Sequence, residues 1–332
     1  MFNSCALSRF LIIRLSSIGD IVLTTPVIRC LKKQVPEAEI HYLTKKENNS
    51  LLSSNPFIDK IHIFEGNLSE TISLLKKEKF DYIIDLHHNL RSLLIKINLL
   101  RPSFSFNKIN LLKWIKVHLK IDHLPKTHIV DRYLRTLRKF GVKNDNAGLD
   151  YFITEKEEVT LNDLPEEFRS GYLVLTAGAK HFTKQIPVEK MVEICNILKQ
   201  PVIILGGKED FEKAETVKQN STSYIYNGCG KFSINQSASL ILQSNAVITS
   251  DTGLMHISAA FHKIIISIWG NTIPEFGMSP YMPDKASRMF EVEGLSCRPC
   301  SKIGFQSCPK KHFDCMMKQN SGEIAEYMNS VL

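Results

Sequence analysis

Ala246-Val247-Ile248-Thr249-Ser250-Asp251-Thr252-Gly253-Leu254-Met255-His256 is the stretch whose reading decides the fold. The apolar run Ala246–Thr249 predicts a short buried strand, and Leu254 to Phe261 predicts a helix that begins just after it. The turn between them carries an Asp, a Thr and a Gly, residue types that cap helices. Strand, glycine turn and helix N-terminus together make an anion site, because unpaired N–H groups and the helix dipole converge on one point. Gly253 lets the backbone approach a phosphate, and Thr252 offers a hydroxyl. The same residues also suit a helix cap with no ligand, so the remainder of the chain has to decide.

Outward from this stretch the pattern repeats. Phe10 to Leu15 is an apolar run broken only by Arg14, as expected of a buried parallel strand, and Ser16-Ser17-Ile18-Gly19-Asp20 is the polar turn after it. Ile21 to Gln34 has helical spacing and Pro36 closes it. Strands follow at Glu39–Leu43 and Lys60–Phe64, a helix at Leu68–Lys79 and a strand at Tyr82–Leu86. Ile95 to Ile121 mixes apolar and aromatic residues with lysines, which suits either a helix in a membrane interface or an amphipathic helix covering the first domain. Arg132–Phe140 is a further helix, and 144–148 joins the halves. The second half alternates again: Tyr172–Leu175, Val188–Lys199, Val202–Leu205, Phe211–Gln219, Ser237–Gln243, the opening stretch, Ile264–Trp269, and a last helix at Glu323–Val331. Strands alternating with helices at this spacing define an α/β chain with two Rossmann-like halves, divided near residues 150 and 151.

With 332 residues, 43% hydrophobic and 23% charged, the chain has the makeup of a soluble globular protein of two domains. The formal net charge of +8 is uneven. Residues 1–150 hold 24 basic and 14 acidic side chains, and 151–332 hold 18 and 20. A basic first half suits an anionic partner. No apolar run reaches the roughly 18–20 residues of a membrane span, and the N-terminal stretch Met1–Arg9 lacks the pattern of a signal peptide, so reduced thiols are expected. Nothing marks a nucleic-acid reader beyond the charge itself.

Asp20 follows the first strand, where open α/β sheets place ligands. Beside Gly19 and ahead of a helix, it fits either a general base or a cap. The Gly-x-Gly-x-x-Gly fingerprint, the Walker Gly-Lys-Ser/Thr and an Asp-x-Asp pair are all absent, which speaks against a dinucleotide enzyme, a P-loop NTPase and a metal-bridged sugar donor. In the second half, the Thr176–Pro187 loop brings Thr183 and Lys184 between a strand and a helix, cations and donors suited to a diphosphate. Gly206-Gly207-Lys208-Glu209-Asp210 adds acids suited to ribose hydroxyls. Late in the chain Cys297, Cys300, Cys308 and Cys315 follow C-x2-C-x7-C-x6-C, a spacing open to zinc, a redox pair or plain thiols.

Arg14 to Pro26, Asp85 to Ser92, Gly178 to Pro187, Gly206-Gly207, Ser250 to His256 and Trp269 to Pro274 resemble, in that order, the motifs of glycosyltransferase family nine, the lipopolysaccharide heptosyltransferases. The resemblance implies a GT-B architecture, two facing Rossmann-like domains with the acceptor on residues 1–150 and the nucleotide sugar on 151–332. It implies an inverting enzyme that moves heptose from ADP-heptose to the inner core of lipopolysaccharide; the alternatives are another nucleotide sugar or glycan acceptor, or a non-catalytic nucleotide binder. Asp20 would be the base, with Ser17 and Gly19 beside it and Arg91 toward an acidic, phosphorylated core sugar. Thr183 and Lys184 would hold the donor phosphates, Glu209 or Asp210 the ribose, and Asp251, Thr252, Gly253 and His256 the diphosphate end. No cofactor is called for. The expected partners are an ADP-sugar, a lipid A/Kdo-type acceptor and the membrane surface, not nucleic acid, and the expected location is the inner face of the inner membrane. Gln185-Ile186-Pro187 departs from the usual Arg/His-Trp-Pro, and Asn271 stands where Pro is frequent.

Overall fold

Two parallel sheets, each built largely from alternating strands and helices, carry the chain in a computed structural model that describes residues 7–332. Met1 to Ala6 lie outside the described residues, and with them Cys5 and most of the N-terminal stretch read above.

The first compact unit comprises residues 1–108 and 127–152. Its elements are β1 (Ser8–Ile13), α1 (Ile18–Val22), α2 (Thr25–Gln34), β2 (Ala38–Lys45), β3 (Lys60–Phe64), α3 (Leu68–Lys77), β4 (Tyr82–Asp85), α4 (Leu90–Leu99) and β5 (Ser103–Ser105). The strands pair in the order β3-β2-β1-β4-β5, all parallel. Phe10 to Ile13 are wholly buried, as a central strand covered on both faces requires. The helix expected at 21–34 is two helices, because Pro26 cannot continue α1 and instead opens α2.

Ile95–Ile121 is not one helix. α4 ends at Leu99, Pro102 intervenes, β5 pairs with β4, and α5 (Asn110–Leu119) follows. Residues 109–126 group with the second unit rather than the first, where the division near 150 had placed them. The reason is visible in their bonds: Lys120 Nζ donates to the Cys297 and Pro299 carbonyls at 3.2 and 2.8 Å, and Lys113 lies over the Phe276 ring. The chain then returns to the first unit through α6 (Ile129–Leu134).

The second unit, residues 109–126 and 153–332, continues with α7 (Glu166–Arg169), β6 (Leu173–Thr176), α8 (Val188–Ile197), β7 (Val202–Leu205), α9 (Phe211–Asn220), β8 (Ile225–Asn227), α10 (Ile234–Gln243), β9 (Ala246–Ser250), α11 (Gly253–Ala260), β10 (Ile264–Trp269), β11 (Arg288–Glu291), α12 (Asp314–Met317) and α13 (Ser321–Ser330). Strand order is β11-β10-β9-β6-β7-β8, again all parallel.

Strand order reverses direction between β1 and β4 in the first sheet and between β6 and β9 in the second. At such a point the loops leaving the two neighbouring strands part to opposite faces and open a crevice at their carboxyl ends, which is where ligands of open α/β sheets sit. Asp20 and His87 follow β1 and β4; Lys184 and Asp251 follow β6 and β9.

Candidate active site

In the first unit the crevice residue is Asp20, in the first turn of α1. Arg14 Nη2 reaches its Oδ1 at 2.7 Å. Ser17 donates to Oδ2 twice, from its hydroxyl at 2.8 Å and its N–H at 3.3 Å. A carboxylate has about four acceptor positions, so one direction stays open, and the side chain remains 19% exposed. Burial works to raise the Asp20 pKa, but the Arg14 charge and the two Ser17 bonds outweigh it and hold the group below the ordinary carboxylate range. Arg14 is itself fixed. Its guanidinium donates to the carbonyls of Ser16 at 2.7 Å and Leu86 at 2.5 Å and to the Tyr133 hydroxyl at 3.0 Å. Gly19 is buried in α1, one residue before Asp20.

From β4 comes a second group. Asp85 is fully buried and accepts from the His87 and His88 N–H groups, the Ser92 hydroxyl and Lys96, which shapes the loop. His87 sits on that loop with its pKa pushed down to about 4 by burial, helped by the Arg14 charge, so it is neutral near pH 7. Its Nδ1 is buried without a hydrogen-bond partner. Arg14 and His87 both lie in motifs quoted above, yet neither was assigned a role there. Arg91 is elsewhere: exposed on α4, it lines a hollow of about 580 Å³ with Lys45, Lys46, Glu47, Phe64 and Glu65, and its guanidinium lies over the Phe64 ring.

In the second unit Lys184 Nζ pairs with Asp251 Oδ2 at 2.5 Å, and the Thr272 hydroxyl donates to the same oxygen at 3.1 Å. Thr252 is the N-cap of α11, its Oγ1 accepting from Met255 N at 3.4 Å. Behind it stands a chain of hydroxyls, Thr176 to Thr249 at 2.8 Å and Thr249 to Thr252 at 3.3 Å, which ties β6, β9 and the cap together. The N–H groups of Gly253 and Leu254 open the helix beside the Lys184–Asp251 pair. One mobile cation and one helix N-terminus therefore meet at the crevice.

Three of the expected binding residues turn inward. The Thr183 hydroxyl, 1% exposed, accepts from Phe305 N at 2.8 Å and donates to the Phe305 carbonyl at 3.2 Å, so it clasps a loop instead of facing a phosphate. His256 is buried in α11. Asp210 is buried as well and accepts from Gly207 N at 2.9 Å. A Cβ at Gly178 would come within 2.0 Å of the Asp210 carboxylate, and one at Gly206 within 2.7 Å, which is why this loop pair needs glycine. Glu209, by contrast, is exposed and is the acid that faces solvent.

Cys297, Cys300, Cys308 and Cys315 are free thiols, and no three of their sulfurs lie within 4.8 Å of one another. Burial pushes the Cys315 thiol up to about 12 and Cys300 to about 11. The segment also braces the site. Besides the Phe305 clasp, Arg298 donates to the carbonyls of Gly270 at 2.5 Å and Thr272 at 2.9 Å and pairs with Glu291, so the loop that presents Thr272 to Asp251 is anchored from the cysteine-rich side.

Solved structures share this architecture. A glycosyl transferase of family 9 from Veillonella parvula superposes with a TM-score of 0.78 at 20% identity over 99% of each chain. The Escherichia coli ADP-heptose lipopolysaccharide heptosyltransferase II gives 0.72 at 18% identity, over 97% of this chain and 98% of that one. In sequence, lipopolysaccharide heptosyltransferase 1 of Campylobacter coli is 25% identical over 295 residues, 79% of this chain and 83% of its own. The fold is that of a glycosyltransferase of GT-B architecture. The model of glycosyltransferase family 9 (heptosyltransferase) matches residues 70–306, and the chain belongs to that family. Among the described residues, no helix is long and apolar enough to cross a membrane.

Proposed function

We propose that this enzyme is an inverting heptosyltransferase that moves heptose from ADP-heptose to the inner core of lipopolysaccharide. The observation that carries the reading is the Asp20 carboxylate, kept ionised by Arg14 yet open on one side at a sheet crevice. In the reaction an acceptor hydroxyl attacks the anomeric carbon while its proton passes to Asp20. The bond from that carbon to the diphosphate oxygen breaks, and its electron pair leaves with ADP. Attack from the face opposite the leaving group inverts the centre.

On the donor side, Lys184 and the Gly253 and Leu254 amides would receive the charge that builds on the diphosphate. Lys184 leaves Asp251 when the phosphates arrive, exchanging one anion for another. Glu209, not Asp210, would take the ribose hydroxyls. The names of the Campylobacter and Escherichia relatives support the sugar and the acceptor.

The acceptor is lipid-linked, and α4 fits a peripheral contact with an anionic membrane. Leu90, Leu93, Leu94, Ile97 and Leu100 recur at helical spacing with 37–84% of each exposed, beside Arg91 and Arg101. On α5, Leu111, Trp114 and Leu119 are exposed in the same way. These exposed apolar and basic residues support an enzyme that works on the inner face of the inner membrane.

Incubation with ADP-heptose and a Kdo-terminated lipid A, followed by mass spectrometry, tests the reading. A gain of one heptose is expected. Absence of any gain, with transfer instead from a uridine nucleotide sugar, would overturn the assigned donor.

A further inference from the structure

A cluster of metal-ligating side chains lies away from both crevices. His41 stands midway along β2 and His62 midway along β3, the edge strand of the first sheet; Glu78 is the residue that ends α3. Parallel pairing sets Leu43 opposite His62, and Leu43 is two residues past His41, so the two imidazoles emerge on one face of the sheet. His41 Nδ1 is 2.9 Å from His62 Nε2 and 4.0 Å from Glu78 Oε2. One donor atom from each of the three residues lies within 4.8 Å of the other two, and among the described residues no other set of three His, Cys, Asp or Glu side chains converges so closely.

The surroundings orient these donors. His41 Nε2 is 2.8 Å from Glu39 Oε1. A carboxylate can only accept, so Nε2 carries the proton and Nδ1 turns its lone pair toward His62 and Glu78. A carboxylate behind an imidazole, fixing its tautomer, is the usual support of a metal-bound histidine. Lys60 holds the other Glu78 oxygen, Oε1, at 2.6 Å and leaves Oε2 free to turn inward. Phe80 walls the site edge-on to both rings, at 5.1 and 6.0 Å. Two ligands on a tetrahedral zinc lie roughly 3.4 Å apart, between the 2.9 Å that separates the ring nitrogens and the 4.0 Å from His41 Nδ1 to Glu78 Oε2.

We propose that His41 Nδ1, His62 Nε2 and Glu78 Oε2 form a site for a divalent first-row transition metal ion, which pins the edge strand β3 and the end of α3 to β2. Two imidazoles and a carboxylate suit zinc and its neighbours. Without metal, His62 Nε2–H donates to His41 Nδ1; with metal, that proton moves to His62 Nδ1 and both lone pairs face the ion. The remaining coordination position opens to solvent past His62 and Glu78, both half-buried, where water completes it. His41 pairs in register with Leu11, two residues before β1 ends, so the ion sits beside the strands and not in the crevice that follows them. Its role is structural.

The cysteine segment would compete for metal, and cobalt separates the two. Full-length protein is stripped with chelator and titrated with Co²⁺ and then with Zn²⁺. The expected result is one equivalent of cobalt with visible d–d bands and no thiolate charge-transfer band, displaced by zinc. Zinc is expected to raise the unfolding midpoint by about 3 °C or more. His62→Ala and Glu78→Gln each weaken binding by about tenfold or more, whereas Cys297→Ser leaves it unchanged. Glu78 lies partly in solvent, so Glu78→Gln carries the test even where His62→Ala folds poorly. Absence of cobalt binding, a thiolate charge-transfer spectrum lost in Cys297→Ser, or binding unaffected by Glu78→Gln would each overturn the site.

Discussion

Each sheet crevice of this chain is built around a carboxylate paired with a cation, and the two pairs behave oppositely. In the first, Arg14 is buried and committed to two carbonyls, a tyrosine hydroxyl and Asp20, so the cation cannot leave and the carboxylate is a permanent anion. In the second, Lys184 is a point charge on a flexible stem paired with Asp251, and Asp251 has Thr272 in reserve. A fixed pair suits a base that must be ionised before substrate arrives. An exchangeable pair suits a site that must be satisfied when empty and must release its cation to a diphosphate. The charges are alike and the anchoring differs: Arg14 is tied to four groups and Lys184 to the Asp251 carboxylate, and that difference divides the labour.

Four substitutions would break or sharpen this contrast. Asp20→Asn removes the proton acceptor and keeps the shape; the single-turnover transfer rate is expected to fall by about 10³-fold. Next, Arg14→Met strands the Asp20 carboxylate and three acceptors, with an expected loss of about 3 kcal/mol in denaturant unfolding. The sign with pH follows from the depressed Asp20 pKa. Stability from the pair is present above the unfolded value of about 3.9 and is lost as pH falls through the lower folded value. Wild-type transfer should accordingly show no acidic limb from Asp20 above about pH 5, and Arg14→Met should bring one into view. Third, Lys184→Ala should weaken nucleoside diphosphate binding about 10- to 100-fold, the worth of one charge-assisted bond, measured by calorimetry. Smallest, Thr252→Ala removes the α11 cap at a cost of about 1 kcal/mol, read as a lower unfolding midpoint.

How much of this was legible in the sequence depends on whether a feature is local. β7 and β10 fall where their apolar runs placed them, because strands covered on both faces are continuous hydrophobic runs, and β3, an edge strand, falls where its alternating pattern placed it. β5 and β8 have three residues each, too few to show a pattern, and β11 (Arg288-Met289-Phe290-Glu291) has no apolar run; they exist through pairing with a neighbour. The break before Pro26 and the interruption at Pro102 were readable, and the long helical spacing concealed them. Among site residues, strand ends were enough to place Asp20, Asp251 and Thr252 at the crevices, whereas Lys184 lies well past β6 and meets Asp251 only in the folded chain. Whether a loop side chain turns in or out was not legible: Thr183, Asp210 and His256 are buried while Glu209 is exposed. Nor could spacing reveal His41, His62 and Glu78, which only strand pairing and the end of α3 bring together.

Donor affinity and single-turnover transfer, measured side by side on Asp20→Asn and Lys184→Ala, test the division of labour most directly. The expected result is a donor Kd unchanged within about twofold for Asp20→Asn despite its lost turnover, and a weakened Kd for Lys184→Ala. Turnover that survives in Asp20→Asn, or a donor Kd that collapses with it while Lys184→Ala binds normally, would contradict the assignment of base and donor sites.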